Sequence, residues 1–167
     1  MNCASQALFG NIRGFAKFAK RSRLEGRFRG PGGRLYAKNY YMTMKKTIAS
    51  PKAPAAVGPY SQAVELNGTL FISGQLPVDP ATGEMPQGIE AQTRRSLDNL
   101  GYILEEAGLG FDDIVKTTVL LDDIADFGAM NAVYAEYFNG DKPARVCYQV
   151  AALPKGAKVE IDAVAGK

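Results

Sequence analysis

The sequence contains no histidine, and this absence excludes several classes of enzyme. Without imidazole among its 167 residues, the chain can form no Ser-His-Asp triad, no Cys-His nucleophile pair and no HExxH zinc site. Cysteine is scarce as well: Cys3 and Cys147 lie at opposite ends and suggest neither a disulfide framework nor a metal site. No apolar run reaches the ~18 residues of a membrane span. Any chemistry must use carboxylates, Arg, Lys, Tyr, hydroxyls, backbone groups and bound water, and we expect no metal.

Acidic residues are nearly missing from the first quarter of the chain. Residues 1–46 hold 11 Lys and Arg against the single acid Glu25, a net charge of +10. Residues 47–167 hold nine basic and 16 acidic residues, a net charge of −7, so the overall +3 conceals two parts of opposite sign. We predict a leader and flexible junction over residues 1–43, cleaved or without fixed structure, followed by one globular domain over 44–167.

The leader has the pattern of an organellar transit peptide. On a helical wheel, residues 8–21 separate into an apolar arc and a basic arc, and an Arg-rich, acid-poor amphipathic N-terminus is typical of such peptides. The apolar arc comprises Leu8, Phe9, Ile12, Phe15, Ala16 and Ala19, and the basic arc comprises Arg13, Lys17, Lys20 and Arg21. Sparse serine favours the mitochondrial matrix over a plastid. A basic arm that contacts nucleic acid is the alternative.

Two features bear on where the leader ends. Arg34 precedes Ala37 by three positions, which resembles the matrix-processing pattern and predicts cleavage after Tyr36. A second start at Met42 or Met44 would instead yield a cytosolic form.

Beyond residue 46 the hydrophobic pattern predicts two helices and five strands. A hairpin joins the two alternating runs of "SQAVELNGTLFISG" through Asn67-Gly68, a pair that favours a type I′ turn. Apolar residues recur at helical spacing over 89–107, where Gly108 should end the first helix, and again over 127–138. The remaining strands are predicted over 113–123, 145–152 and 159–164.

This order of elements, ββ-α-β-α-ββ, predicts an α+β fold. We expect one mixed sheet with both helices packed on a single face. The other face of the sheet carries many apolar strand residues, so an oligomer should cover it.

Two side chains on the predicted strand 145–152 share a face. Arg145 and Cys147 are two residues apart and therefore point the same way. The permanently charged guanidinium suits a carboxylate or phosphate, although surface acids commonly hold an arginine on an edge strand. Cys147 is either a nucleophile assisted by Arg145 or a small side chain lining a pocket. The lack of an imidazole base favours the second interpretation.

Glu160 and Tyr60 are further candidates. Glu160 lies on the last predicted strand, opposite its apolar face, where a carboxylate could polarise a water or simply face solvent. The hydroxyl of Tyr60, in "GPYSQA", could close a polar pocket, or its ring could belong to the core. From the residue pattern alone, both alternatives stay open.

Three separated blocks of the sequence resemble one family. They are "GPYSQAV" at 58–64, "ISGQLPVDPATGE" at 72–84 and "PARVCYQVAALPKGAKVEIDAVA" at 143–165. Their order and composition resemble the RidA (YjgF/UK114) family of enamine and imine deaminases, from Lys46 to Val164. The resemblance implies a chorismate-mutase-like α+β fold, a homotrimer, and active sites in the clefts between subunits.

The resemblance also implies an activity and the residues that perform it. Family deaminases hydrolyse 2-iminobutanoate and 2-iminopropanoate, released by pyridoxal-phosphate-dependent dehydratases, to 2-oxo acids and ammonia, and they need no cofactor. By this resemblance Arg145 binds the substrate carboxylate and Glu160 positions the hydrolytic water. The positions that line the pocket correspond to Tyr60, Ser73, Gly74 and Cys147.

Two other functions remain open. Some family members are described as single-strand ribonucleases or translation inhibitors. The charge of −7 over residues 47–167 disfavours a nucleic-acid partner, because phosphate backbones attract clustered Lys and Arg. A small-ligand sensor that uses the same cleft without turnover is the other alternative. We predict a small imino-acid substrate and neither a nucleic-acid nor a membrane partner.

Overall fold

The chain divides into two units, Met1–Thr43 and Met44–Lys167. The structure, a computed structural model, describes residues 23–29, 35–41 and 45–166. In the first unit, β1 (Arg23–Arg29) and β2 (Leu35–Tyr41) form a two-stranded antiparallel sheet, which the sequence pattern did not predict. The amphipathic segment 8–21 and the glycine-rich stretch 30–33 of the predicted junction lie outside the described residues.

Residues 45–166 of the second unit form a six-stranded sheet and two helices. The helices are α1 (Ile89–Glu106) and α2 (Phe127–Ala135). The strands are β3 (Lys46–Ile48), β4 (Ala63–Leu66), β5 (Thr69–Gln75), β6 (Ile114–Leu121), β7 (Ala144–Gln149) and β8 (Val159–Gly166). Their order across the sheet is β3-β4-β5-β8-β6-β7, in which β6 and β7 run parallel and the other neighbours are antiparallel. The predicted α+β fold with a mixed sheet is confirmed.

Two glycines end their elements as the sequence predicted. Asn67 and Gly68 join β4 to β5 with φ angles of 56° and 82°, the left-handed pair that a type I′ turn requires. After α1, Gly108 has a φ of 71°, and the backbone N–H of Leu109 donates to the carbonyl of Leu104 at 2.9 Å. This arrangement is the common left-handed helix ending, and it directs the chain towards β6.

Several boundaries differ from the prediction. β3 was missed because three residues are too few to show an alternating pattern. α2 ends at Ala135 rather than at 138, since the following residues form tighter i→i−3 turns, although Phe138 remains in the core. β7 ends at Gln149 rather than at 152. β8 extends to Gly166, where it still pairs with Thr69 of β5.

The two faces of the sheet differ in their cover. The odd-numbered residues of β8, such as Ile161, are buried beneath the helices in a single hydrophobic core. The even-numbered residues lie on the opposite face, which we call the open face. Its exposed or partly buried apolar side chains are Val64, Leu66, Phe71, Leu120, Val146, Tyr148 and Val164. None of the helices in the described part of the chain has the length and apolar character to cross a membrane.

Candidate active site

Glu160 lies on the open face of β8, against an irregular stretch of β5. The pairing of β5 with β8 changes register between Ile72 and Gln75, so Ser73 and Gly74 fall outside the regular ladder. A Cβ built on Gly74 would overlap Oε1 of Glu160 and lie 2.8 Å from its Cδ. Glycine at this position therefore leaves room for the Glu160 carboxylate to lie against the backbone of β5.

The surroundings of Glu160 favour its protonated form. Partial burial raises the pKa of Glu160, and the negative charge of Asp162, two residues along the same face, raises that pKa further. A carboxylate with a raised pKa is a stronger proton acceptor than an exposed one. Glu160 is therefore suited to take a proton from a water molecule.

Ser73 connects β5 to the loop that carries Tyr60. Its backbone N–H donates to the carbonyl of Gln62 at 2.9 Å, and its hydroxyl donates to the carbonyl of Ser61 at 2.8 Å. The side-chain amide of Gln75 in turn donates to the carbonyl of Ser73 at 2.9 Å. Because its hydroxyl is already engaged, Ser73 supports the loop rather than presenting a free donor.

Tyr60 lines a cleft of about 180 Å³ together with Gly74. The tyrosine is 48% exposed, so its ring does not belong to the core, and its hydroxyl accepts a hydrogen bond from the backbone N–H of Val57 at 3.4 Å. Lys155 also lines this cleft, held there by a left-handed backbone with a φ of 58°. The sequence pattern did not single out Lys155, so this cation at the cleft was missed.

Arg145 lies on the helix face of β7, beneath two aromatic rings of α2. Its guanidinium carbon is 4.7 Å from the centroid of Tyr134 and 5.8 Å from that of Phe127. Within residues 45–166 no Asp or Glu forms an ion pair with it. The interpretation that surface acids hold Arg145 on an edge strand is therefore wrong as far as the acids of residues 45–166 are concerned. The N–H donors of Arg145 can serve an anionic ligand.

Cys147 lies on the same face of β7 as Arg145, as the alternation predicted. It is partly buried and packs against the hydrophobic core. Burial raises the pKa of the Cys147 thiol, and the positive charge of Arg145 lowers it by a smaller amount. Since the thiolate is disfavoured, Cys147 fits a lining residue better than a nucleophile.

The strand registers place Arg145 and Glu160 on opposite faces of the sheet. Arg145 is level with the buried Thr117 of β6, and Thr117 is level with the buried Ala163 of β8. Glu160 is level with Leu120, which lies on the open face. The two side chains are thus separated by β6 and by the thickness of the sheet.

The six candidate residues therefore form two groups within one protomer. The first group adjoins β5 and the open face of β8, and it comprises Tyr60, Ser73, Gly74 and Glu160. The second group, Arg145 and Cys147, lies on the helix face of β7. No cluster of three or more His, Cys, Asp or Glu suited to a metal ion occurs among the described residues.

Most of the second unit corresponds to one known family. A family model described as Endoribonuclease L-PSP matches residues 50–167. The chain belongs to this family. It is the same family as YjgF/RidA, so the resemblance seen in the three sequence blocks is confirmed.

Relatives in the RidA family match this chain over nearly their full lengths. A mouse protein named 2-iminobutanoate/2-iminopropanoate deaminase is 53% identical over 123 residues, which cover 73% of this chain and 91% of the relative. An Escherichia coli K12 protein of the same name is 53% identical over 125 residues, covering 73% of this chain and 98% of the relative. The crystal structure of E. coli TdcF with bound serine has a TM-score of 0.71 at 46% identity and covers 73% of this chain and 98% of that one.

The contact between Arg145 and the rings of α2 was missed by the sequence analysis of this RidA-family chain. Phe127 and Tyr134 were assigned to an apolar stripe, which is correct for Tyr134 because it is 7% exposed. A separation of seven residues places both rings on one side of α2. That spacing was the available signal, but it could not show which strand lies under the helix.

Proposed function

We propose that this RidA-family chain hydrolyses 2-iminobutanoate and 2-iminopropanoate to the corresponding 2-oxo acids and ammonia. The observation that carries the proposal is the 53% identity, over 91% and 98% of their lengths, to two proteins named as this deaminase. The chemistry also suits a chain without histidine. A protonated imine is already an electrophile, so hydrolysis requires orientation and a proton acceptor rather than a covalent nucleophile.

Arg145 is the proposed carboxylate-binding residue. Its guanidinium presents N–H donors in a planar fork that fits a carboxylate, and these bonds are strengthened by the opposite charges. The absence of an ion-paired acid within residues 45–166 supports this role, because a substrate would not have to displace one. Cys147 and Tyr60 would line the site, and Ser73 and Gly74 would shape it.

Glu160 is the proposed proton acceptor. It takes a proton from water as the water oxygen forms a bond to C2 of the iminium ion, giving a carbinolamine. Glu160 then gives this proton to the amino nitrogen. The C–N bond breaks as the hydroxyl oxygen forms the C=O bond and returns its proton to Glu160, and the departing ammonia takes that proton. The balance is one iminium ion and one water to one 2-oxo acid and one ammonium ion, with general-base help typically worth ~10²–10⁴-fold.

We further propose that the complete site forms between copies of this chain. Arg145 and Glu160 lie on different surfaces of one protomer, so a contact that joins them is heterologous, and heterologous contacts form a ring where the rotation between copies closes. A homotrimer, as the family resemblance implied, is the ring we propose. The apolar open face around Glu160 supports burial against a neighbouring copy.

A coupled assay tests the activity. A threonine dehydratase supplies 2-iminobutanoate, the full-length chain is added, and 2-oxobutanoate release is followed while semicarbazide traps unhydrolysed imine. We expect the chain to lower the yield of trapped imine, and Arg145→Ala and Glu160→Gln each to abolish this effect. Arg94→Ala is the matched control, because that arginine pairs with Glu136 on the surface at 2.6 Å and 3.0 Å. An unchanged trapping yield with the wild-type chain would reject the proposal.

Single-strand ribonuclease activity is the second candidate, because the matching family model is described as an endoribonuclease. The charge of −7 over residues 47–167 disfavours it, since a nucleic-acid groove needs clustered cations. Incubation with labelled single-stranded RNA at low salt tests this candidate directly.

A third candidate is a sensor that binds a small ligand without turnover. It predicts that Glu160→Gln and the wild type bind 2-oxobutanoate alike and that neither accelerates hydrolysis.

We propose the mitochondrial matrix as the location of the chain. The support is compositional: residues 1–46 carry a net charge of +10 and contain one acid, as is usual for a transit peptide. Import of the labelled full chain into isolated mitochondria, followed by N-terminal sequencing, tests both the location and the cut after Tyr36. A chain that stays outside and unprocessed would reject the proposal.

A further inference from the structure

Two aromatic side chains of α2 surround the guanidinium of Arg145. Tyr134 is 4.7 Å from the guanidinium carbon and Phe127 is 5.8 Å from it, both measured to the ring centroids. These distances are within the ~6 Å range of cation–π attraction. Because an aromatic ring attracts a cation through its face without accepting hydrogen bonds in the guanidinium plane, the N–H donors of Arg145 stay available.

The position of Tyr134 is fixed from two sides. Its hydroxyl shares a hydrogen bond of 2.8 Å with the hydroxyl of Thr117, and its ring stacks on Phe138 with centroids 4.5 Å apart. Thr117 is the residue of β6 that is level with Arg145 of β7. One tyrosine therefore binds one strand through its hydroxyl and contacts the neighbouring strand's arginine through its ring.

We propose that Tyr134 is a positioning residue for Arg145: its ring, which stacks on Phe138 in the core, holds the guanidinium by cation–π attraction, while its hydroxyl bond to Thr117 joins α2 to β6. This inference rests on the proposed role of Arg145 in binding the substrate carboxylate. A carboxylate partner in place of the ring would also hold Arg145, but it would compete with the substrate for the same N–H donors. The ring positions the cation without that competition.

The test separates the ring of Tyr134 from its hydroxyl in the full-length chain. Tyr134→Leu removes the ring, and we expect KM for 2-iminobutanoate and the inhibition constant of the product 2-oxobutanoate to rise roughly 3- to 30-fold. Tyr134→Phe keeps the ring, so both constants should stay within about twofold of the wild type while the urea midpoint falls. Thr117→Val is the matched control, because it breaks the same hydroxyl bond from the other partner.

A double-mutant cycle with Arg145 shows whether Tyr134 acts through the guanidinium. In an Arg145→Lys background, Tyr134→Leu should change KM by a smaller factor than it does in the wild type. An equal factor in both backgrounds, or a rise in KM for Tyr134→Phe as large as for Tyr134→Leu, would overturn the inference. If Tyr134→Leu does not fold, Phe127→Leu replaces it, because Phe127 is partly exposed. We expect this variant to raise KM for 2-iminobutanoate by about two- to fivefold, and an unchanged KM would contradict the inference.

These results are distinguishable from failure of the proposed function. If Arg145→Ala keeps the wild-type KM and the wild-type inhibition constant, the proposed role of Arg145 itself is rejected, and the inference about Tyr134 is rejected with it. If Arg145→Ala no longer binds substrate and product measurably, but Tyr134→Leu changes neither KM nor the inhibition constant, only the role of Tyr134 is rejected.

Discussion

Arg145 and Glu160 lie on opposite faces of the same sheet, with the strand β6 between them. An imino acid of three or four carbons is too small to touch both side chains of one protomer across the thickness of a sheet. The two residues can therefore serve one substrate molecule only if different copies of the chain contribute them. This requirement can be tested without any structure of the assembly.

Mixing two inactive variants should restore activity. Arg145→Ala lacks the carboxylate-binding residue and Glu160→Gln lacks the proton acceptor, so neither homo-oligomer should turn over substrate. After the two are unfolded together and refolded, random assembly gives about a quarter of the sites both native residues, if neighbouring copies supply them. The measurement is 2-oxobutanoate release per chain before and after mixing.

The control for this mixing experiment is a chain carrying both substitutions. Arg145→Ala mixed with the double variant can never place a native Arg145 in any site, so activity should stay at background. If native mass spectrometry shows mixed oligomers but neither mixture regains activity, one protomer supplies both residues.

Replacement of Arg145 and of Cys147 should have very different consequences. Arg145→Ala removes the proposed carboxylate ligand and should abolish measurable deamination. Cys147→Ala should keep much of the activity, because burial raises the pKa of that thiol and disfavours the nucleophilic thiolate. Steady-state kinetics of both variants check this ranking, and an equal, complete loss in the two would contradict it.

Gly74→Ala should disable the site with little loss of stability. Its Cβ would overlap Oε1 of Glu160, which lies at the end of a flexible side chain and can move away. We expect kcat/KM to fall by about 10²-fold, as for removal of a general base, with a change in unfolding free energy below ~1 kcal/mol. The matched control is Gly128→Ala in α2, where a Cβ meets no atom within 4 Å and the free energy of unfolding should rise by up to ~1 kcal/mol. Full activity in Gly74→Ala would show that the position of the Glu160 carboxylate is unimportant.

The acid limb of the pH–activity profile should report Glu160. The carboxylate must be deprotonated to accept a proton from water, so activity falls as the pH drops through its raised pKa. Asp162→Asn removes a negative charge that contributes to this rise, so the pKa of Glu160 should fall and the acid limb should move to lower pH. Asp112→Asn, on an exposed turn before β6, is the control and should leave the limb in place. If the acid limb moves equally in both variants, a group other than Glu160 is responsible for it.

A charge on the open face should break the assembly. Phe71 is 49% exposed there, and Phe71→Glu would bury a carboxylate if a neighbouring copy covers this face. We expect the variant to elute as a smaller species with light-scattering detection and to lose activity in parallel. Ala91→Glu, on the exposed side of α1, tests whether any added acid has this effect. A Phe71→Glu variant with the mass of the wild type would contradict coverage of the open face.

Parts of the second unit were predictable from sequence where a few neighbouring residues determine the backbone conformation. Asn67-Gly68 favours one turn type and Gly108 ends a helix, because both need a left-handed backbone that most residues avoid. β3 and the end of α2 had no such signal. β3 depends on a partner strand for its hydrogen bonds, and Phe138 stays buried whether or not it is helical. Patterns of burial therefore predict which residues lie inside better than they predict where a helix ends.

The candidate site was predictable as a set of residues but not as an arrangement. Alternation shows that Arg145 and Cys147 share a face, and that Glu160 lies opposite Val159 and Ile161. It does not show how the faces of separate strands correspond, because that depends on the strand order and on registers such as that between Leu120 and Glu160. The opposite placement of the two charged residues thus emerged only with the fold.

The close approach of Glu160 to Gly74 also constrains how this gene can change. A single nucleotide substitution that gives residue 74 a side chain forces the carboxylate aside, and shortening residue 160 to Asp makes room only by drawing the carboxylate back from its position. In a Gly74→Ala background, substitutions at position 160 should therefore never restore growth that depends on turnover. Glycine at position 74 and glutamate at position 160 therefore depend on each other, and we expect selection to remove a change at either position alone.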